Sequence, residues 1–308
     1  MPVVLLSLLG ACLGGSTDPG DAGRDAPPRD AGPPDPEFGA PDRWARVALP
    51  AAHDGVTPLP LVVMLHGYGV TALFENAYLG LDTLTRARGI YLLMPQATEN
   101  AASSPFWNAT DACCNFDGSS IDDVAALERI LDEVIAALPI DTARIYLVGH
   151  SNGGFMSYRL ACERGSRFAG AAVFAGADYL DPSACVPEAP VSILHLHGDA
   201  DETIAYEGGS VSRPTGGTLP PFPSARASVD RWAGVDGCDP TPSAGAALDL
   251  TIERDGHSDV LETEVLDFAG CDAGLDVSLW TLRGEGHAPP FHPDAFDHVL
   301  DWLLEHSR

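Results

Sequence analysis

Apolar positions along this chain fall into short continuous runs separated by segments of helical period. The runs Leu59 to Gly67 (LPLVVMLHG) and Ile90 to Gln96 (IYLLMPQ) are apolar at nearly every position. That pattern marks strands buried on both faces rather than half-exposed ones. The same pattern recurs at RIYLVGH (144–150), FAGAAVFAG (168–176), VSILHLHGD (191–199) and VSLWTLRGEGH (277–287). Between them lie helix-like segments. LDTLTRARG (81–89) closes on Gly89, and residues 119–141 form an amphipathic stretch with serine and aspartate at its start and a stop near Pro139. GGFMSYRLACERG (153–165), SARASVDRWAGV (224–235) and PDAFDHVLDWLLEHSR (293–308) complete the helical set. Strands alternating with helices predict an α/β fold, with a mostly parallel central sheet and helices on both faces. The Gly- and Pro-rich segment 206–224 reads as a loop near the candidate acid.

One strand ends abruptly. After RIYLVGH the chain turns through Gly149-His150-Ser151-Asn152-Gly153 and enters a helix. This is G-x-S-x-G between a strand and a helix, the setting of a nucleophile elbow. Ser151 is the candidate nucleophile. The amide of Asn152 faces the same point at a positive helix end and is a candidate oxyanion donor. A serine needs a base to take its proton, and in this kind of sheet the partners follow in the order Ser, Asp, His. The run HLHGDADETI offers Asp199 and Asp201 after a strand. Asp201 is the preferred acid, because Asp199 follows the strand glycine directly and suits the turn's own amides. After the last strand, His287 is preferred as base over His292, which precedes a proline. His150 is expected to pack beside the elbow and His195 to sit in the core. The turn His66-Gly67-Tyr68 ends an early strand, so the Tyr68 amide is the second candidate oxyanion donor.

Composition narrows the chemistry. The 308 residues carry a formal charge of −27, and all 17 basic residues are arginine. A polyanion needs a basic footprint, so nucleic acid is excluded as a partner. The absence of lysine excludes Schiff-base and Ser-Lys catalysis. The triad chemistry needs no metal or organic cofactor. Val3 to Leu9 is an apolar run too short to span a bilayer, and LLGAC (8–12) resembles a bacterial lipobox. Residues 1–12 are therefore expected to be a lipoprotein signal ending at Cys12, the lipidation site and the only link to a membrane. Residues 13–40 are rich in Gly, Pro and Asp and read as a disordered tether, leaving 41–308 as the catalytic domain. The other six cysteines are Cys113, Cys114, Cys162, Cys185, Cys238 and Cys271, an even set that suits disulfides in an exported protein. Cys238 with Cys271 is the favoured pair, because the two flank one segment before the last strand. The partners of the others stay open.

With these residues in hand, the chain resembles the secreted α/β-hydrolase esterases that include polyhydroxybutyrate depolymerase-like and feruloyl or acetyl-xylan esterase-like proteins. The resemblance rests on LHGYG (65–69), WNATDACCN (107–115), IDDV (121–124), IDTARIYLVGHSNGGFMSYRLACE (140–163), HGDADETI (197–204) and GEGHAPP (284–290). It implies that the acid is the second aspartate of HGxxD, Asp201. It also implies that Trp107 and Asn108 lie near the active site, as candidate substrate-wall residues. The family's tryptophan after the histidine is missing here, where Ala288, Pro289 and Pro290 follow His287. The implied activity is that of a serine carboxylic ester hydrolase acting on feruloyl- or acetyl-type esters of polysaccharide. The alternatives are a polyester depolymerase and a non-catalytic, lipid-anchored binding protein on the same scaffold.

Overall fold

A computed structural model describes residues 35–252, 261–272 and 274–308. The expected signal, Cys12 and most of the tether lie outside the described residues. Their boundary at 41 moves, because Glu37–Ala40, assigned to the tether, is the outermost strand of the main sheet.

The strands in chain order are β1 (Glu37–Ala40), β2 (Arg43–Ala48), β3 (Leu59–Leu65), β4 (Tyr91–Pro95), β5 (Thr98–Glu99), β6 (Pro105–Phe106), β7 (Ile140–His150), β8 (Gly170–Phe174), β9 (Ser192–Gly198), β10 (Gly209–Ser212), β11 (Thr218–Phe222), β12 (Ser243–Ala244), β13 (Thr263–Phe268) and β14 (Val277–Leu282). The helices are α1 (Ala72–Leu79), α2 (Leu81–Ala87), α3 (Asp123–Ala137), α4 (Asn152–Glu163), α5 (Ala225–Val235) and α6 (Ala295–Leu304). The main sheet has the order β1-β2-β4-β3-β7-β8-β9-β14-β13-β12. From β4 through β14 neighbouring strands run parallel, and both ends are finished by antiparallel strands. This is the mostly parallel sheet expected from the apolar runs, in the α/β-hydrolase arrangement that the resemblance implies.

Successive residues of a strand point to opposite faces, so each buried run feeds two cores. Leu61, Val63 and Leu65 of β3 join Ile145 and Leu147 of β7 under α3, α4 and α5. Val62 and Met64 join Tyr146 and Val148 beneath α1, α2 and α6. Helix α3 starts later than its sequence pattern suggests. Asp122 caps it by accepting the Ala125 N–H, and it stops at Ala137 because Leu138, which precedes Pro139, is extended. The 206–224 segment is not a simple loop, since β10 and β11 pair as an antiparallel hairpin.

The cysteines pair as Cys238 with Cys271, Cys162 with Cys185, and Cys113 with its neighbour Cys114.

Candidate active site

The elbow follows from glycine. Helix α4 starts so close to the end of β3 that a Cβ on Gly153 would sit 1.9 Å from the Leu65 carbonyl oxygen, and a Cβ on Gly149 of β7 would meet the Gly153 carbonyl oxygen at 2.2 Å. Only glycine fits there, and the turn is then tight enough to hold Ser151 at φ 55°, a region rarely used by side-chain-bearing residues. The Ser151 N–H donates to the Phe174 carbonyl at 2.8 Å, which ties the elbow to β8.

Parallel strands deliver the partners to the same edge of the sheet. Asp201 follows β9 and His287 follows β14. His287 Nδ1 lies 2.7 Å from Asp201 Oδ2, and its Nε2 lies 2.9 Å from Ser151 Oγ. The other Asp201 oxygen, Oδ1, accepts the N–H groups of Thr203 and Ile204 at 2.7 and 2.9 Å. Burial pushes the Asp201 carboxyl up, but hydrogen bonds from His197 and His287 outweigh it and hold the group well below the usual carboxylate range. A carboxylate there fixes the His287 tautomer, with Nδ1 protonated and Nε2 facing the serine hydroxyl. The base loop reaches the acid because Gly198 has no side chain: a Cβ would meet the Glu285 carbonyl at 2.3 Å. Asp199 sits beside this arrangement and serves the loop instead. Its Oδ1 accepts the Gly284 N–H at 2.6 Å, and Oδ2 pairs with Arg283. His292 lies elsewhere, 3.3 Å from Asp249.

Behind Asp201 runs a chain of buried hydrogen-bonded rings. Tyr158 on α4 donates to His195 Nδ1 at 2.7 Å, and His195 Nε2 meets His197 Nδ1 at 3.1 Å. His197 Nε2 then donates to the Ile204 carbonyl at 2.8 Å, with Asp201 Oδ2 at 3.4 Å. Burial holds His195 well below the ordinary histidine value, so its ring stays neutral and passes donation one way, toward the acid.

The oxyanion side is set by the turn after β3. A Cβ on Gly67 would stand 3.5 Å from the Ser151 Cβ, so this turn lies against the nucleophile. The N–H groups of Tyr68 and Asn152 have no protein partner among the described residues. The Tyr68 ring meets Phe116 edge-on at 5.1 Å, and its hydroxyl accepts from Asn100.

Trp107 and Asn108 are both engaged in hydrogen bonds of their own. Trp107 is 2% exposed, its Nε1 donates to the His66 carbonyl, and its backbone is clamped in both directions by the Asn152 side chain at 2.7 and 3.0 Å. Asn108 spends its side chain on Ile121 and Asn115. Trp107 braces the elbow through Asn152, while Asn108 holds the 108–121 loop together. Glu75 of α1, which the sequence did not single out, is 2% exposed and bonded to His150. Its helix had a signal, a Thr71 cap and a left-handed Gly80 end bracketing eight residues. Among the described residues, no three His, Cys, Asp or Glu side chains come together as metal ligands.

Comparisons with known proteins place the chain among esterases of this fold. The sequence pattern of a phospholipase/carboxylesterase family matches residues 52–215. A putative esterase, NocK, of Nocardia uniformis subsp. tsuyamanensis is 30% identical over 236 residues, covering 75% of this chain and 65% of its own. A probable feruloyl esterase C of Aspergillus oryzae is 30% identical over 265 residues, with 82% of each chain covered. An acetyl xylan esterase from Aspergillus awamori shares the fold, with a TM-score of 0.58 at 16% identity, covering 86% of this chain and 94% of its own. The chain spans 31% to 65% of the lengths of several curated relatives that it matches.

Proposed function

The chain belongs to the phospholipase/carboxylesterase family, and from that premise we propose that it is a serine carboxylic ester hydrolase with Ser151, His287 and Asp201 as its triad. The observation that carries this is the unbroken path from Ser151 Oγ through His287 to Asp201 Oδ2, at 2.9 and 2.7 Å, beside two unpartnered N–H groups. Ser151 Oγ attacks the ester carbonyl while His287 Nε2 takes its proton. Asp201 orients the ring and balances its charge. The N–H groups of Tyr68 and Asn152 stabilise the oxyanion. His287 then protonates the leaving alcohol, and water repeats the path on the acyl-enzyme.

The substrates we propose are feruloyl- or acetyl-type esters of polysaccharide, outside the cell or at its envelope. The relatives named as esterases of this kind support that choice, as does the expected export signal. In the test, full-length chain and Ser151→Ala are treated with a fluorophosphonate and assayed on methyl ferulate and on a soluble 3-hydroxybutyrate oligoester. Labelling lost in Ser151→Ala, with faster ferulate release, supports the proposal. Faster oligoester cleavage favours a polyester depolymerase. Neither labelling nor product overturns the hydrolase assignment and leaves a binding protein.

A further inference from the structure

A second histidine stands behind the base. His150 is the residue before the nucleophile, and it is 7% exposed. Its Nδ1 lies 2.8 Å from Glu75 Oε1, and its Nε2 lies 3.1 Å from the carbonyl oxygen of His287. A carboxylate and a carbonyl only accept, so the ring is held between two acceptors, with the Glu75 carboxylate at its Nδ1. The other Glu75 oxygen, Oε2, accepts the Gly67 N–H at 3.0 Å. Burial pushes the Glu75 carboxyl up, but the His150 bond and the Gly67 N–H outweigh it and leave it below the ordinary value. The His150 ring is held flat against Phe174, with centroids 4.6 Å apart and planes 15° apart. The same helix reaches the base loop a second time, where the Tyr78 hydroxyl donates to the Pro289 carbonyl at 2.9 Å.

We propose that Glu75 and His150 form a positioning pair that ties the oxyanion turn at Gly67 to the backbone of the base His287. The inference rests on the assignment of Ser151, His287 and Asp201 as an ester-hydrolysing triad. Neither member of the pair touches the reacting atoms. The turn after β3 and the loop after β14 lie on opposite sides of β7 along the same edge of the sheet, and the geometry of attack depends on both. A buried carboxylate with one oxygen on each side of the link holds them at a fixed separation. Its burial is sustained only while both oxygens are paired.

The test uses four variants of the full chain, Glu75→Ala, Glu75→Gln, His150→Gln and the double Glu75→Gln/His150→Gln, with thermal melts to establish folding. Loss of the link misplaces the reacting groups, so Glu75→Ala is expected to lower kcat on methyl ferulate about 100-fold, with KM changed by less than about 3-fold. Glu75→Gln still accepts from Gly67 and donates to a neutral His150, so it recovers kcat to within about 5-fold of wild type.

The pH profile separates positioning from simple packing. Around His150 stand Glu75 and Tyr78 from α1 and His287 from the base loop, with Glu285 beyond Tyr78, while β8 presents only Phe174. Around His287 stand Asp201, Ser151 and His150. His150→Gln leaves the Glu75 charge unbalanced beside the base, so the acidic limb of kcat/KM moves to higher pH. The double variant removes that charge and moves the limb back. Wild-type kcat in Glu75→Ala, or an acidic limb that stays put in His150→Gln, overturns the inference. If Glu75→Ala fails to fold, the limb in His150→Gln and the double variant decides it. Wild-type enzyme that neither labels nor hydrolyses ester overturns the triad and the pair together. Active wild-type enzyme with an unaffected Glu75→Ala overturns the pair alone.

Discussion

Asp201 and Glu75 are buried beside histidines, whereas Asp236 is buried at the end of α5 with Asp272 as its charged neighbour. Depth is similar in all three, and the outcome is opposite. Burial drives the Asp236 carboxyl up to about 8, with Asp272 adding to the shift against a lowering by the Val191 backbone. Asp201 and Glu75 are instead held below their ordinary values by donors that burial cannot outweigh. Among these three carboxyls the difference lies in the donors they face rather than in their depth. The two that stay charged are the two that organise the candidate site.

The largest test of this contrast removes a charge where it orients a base. Asp201→Asn keeps the shape but turns an amide toward Nδ1 of His287, favouring the wrong tautomer. It is expected to lower kcat about 10⁴-fold while the fold is retained, as read by steady-state kinetics and a thermal melt. The Glu75 variants come next in size. Then comes the carboxyl on the other side of the comparison. The folded protein keeps the Asp236 proton up to about pH 8, whereas an unfolded aspartate releases it near 4. Between those values the folded state binds more protons, so this group's contribution to stability falls as pH rises. Asp236→Asn removes the dependence. Its unfolding midpoint in urea is expected to match wild type near pH 4 and to gain steadily up to pH 8, by at most about 1.4 kcal/mol per pH unit, then level off. A constant difference at pH 5, 7 and 9 counts against the assignment of a protonated Asp236. The smallest effect is expected at Asp199, whose carboxylate braces Gly284 and Arg283 but touches neither His287 nor Ser151. Asp199→Ala should keep kcat within about 5-fold of wild type, because only a loop hydrogen bond is lost. A loss comparable to Asp201→Asn makes Asp199 part of the acid.

The sequence carried the central strands and the ends of three of them with little ambiguity. Parallel strands covered on both faces are apolar at every position, so LPLVVML and RIYLVGH stand out from any surface segment. Ser151, Asp201 and His287 sit where such runs stop, so their placement followed from the runs. Helix α1 was hidden for a physical reason. Its buried positions include Glu75 and Asn76, while Leu73 and Phe74 face outward, Phe74 at 64% exposure. A helix whose inward face serves a polar site inverts the pattern by which helices are read. The edge elements were hidden differently. β1 alternates partly buried with exposed residues, β13 breaks its apolar pattern with Glu264 and Asp267, and β11 contains Pro220 and Pro221, which disguise a strand as a loop. Trp107 and Asn108 were near the site in sequence motif, but no motif states which way a side chain turns.

The chain of buried rings behind Asp201 ends on Tyr158, and Tyr158 stands about two turns along the helix that begins at the nucleophile. Ser151, His287, Asp201, His197, His195 and Tyr158 therefore form a ring closed by a piece of α4, where a triad is usually drawn as a line. A line of linked bodies bends at every joint, while a closed frame braced by one stiff member resists shear as a unit. The spacing between nucleophile and acid is thus spanned a second time, on the opposite side of the frame, through three fully buried rings.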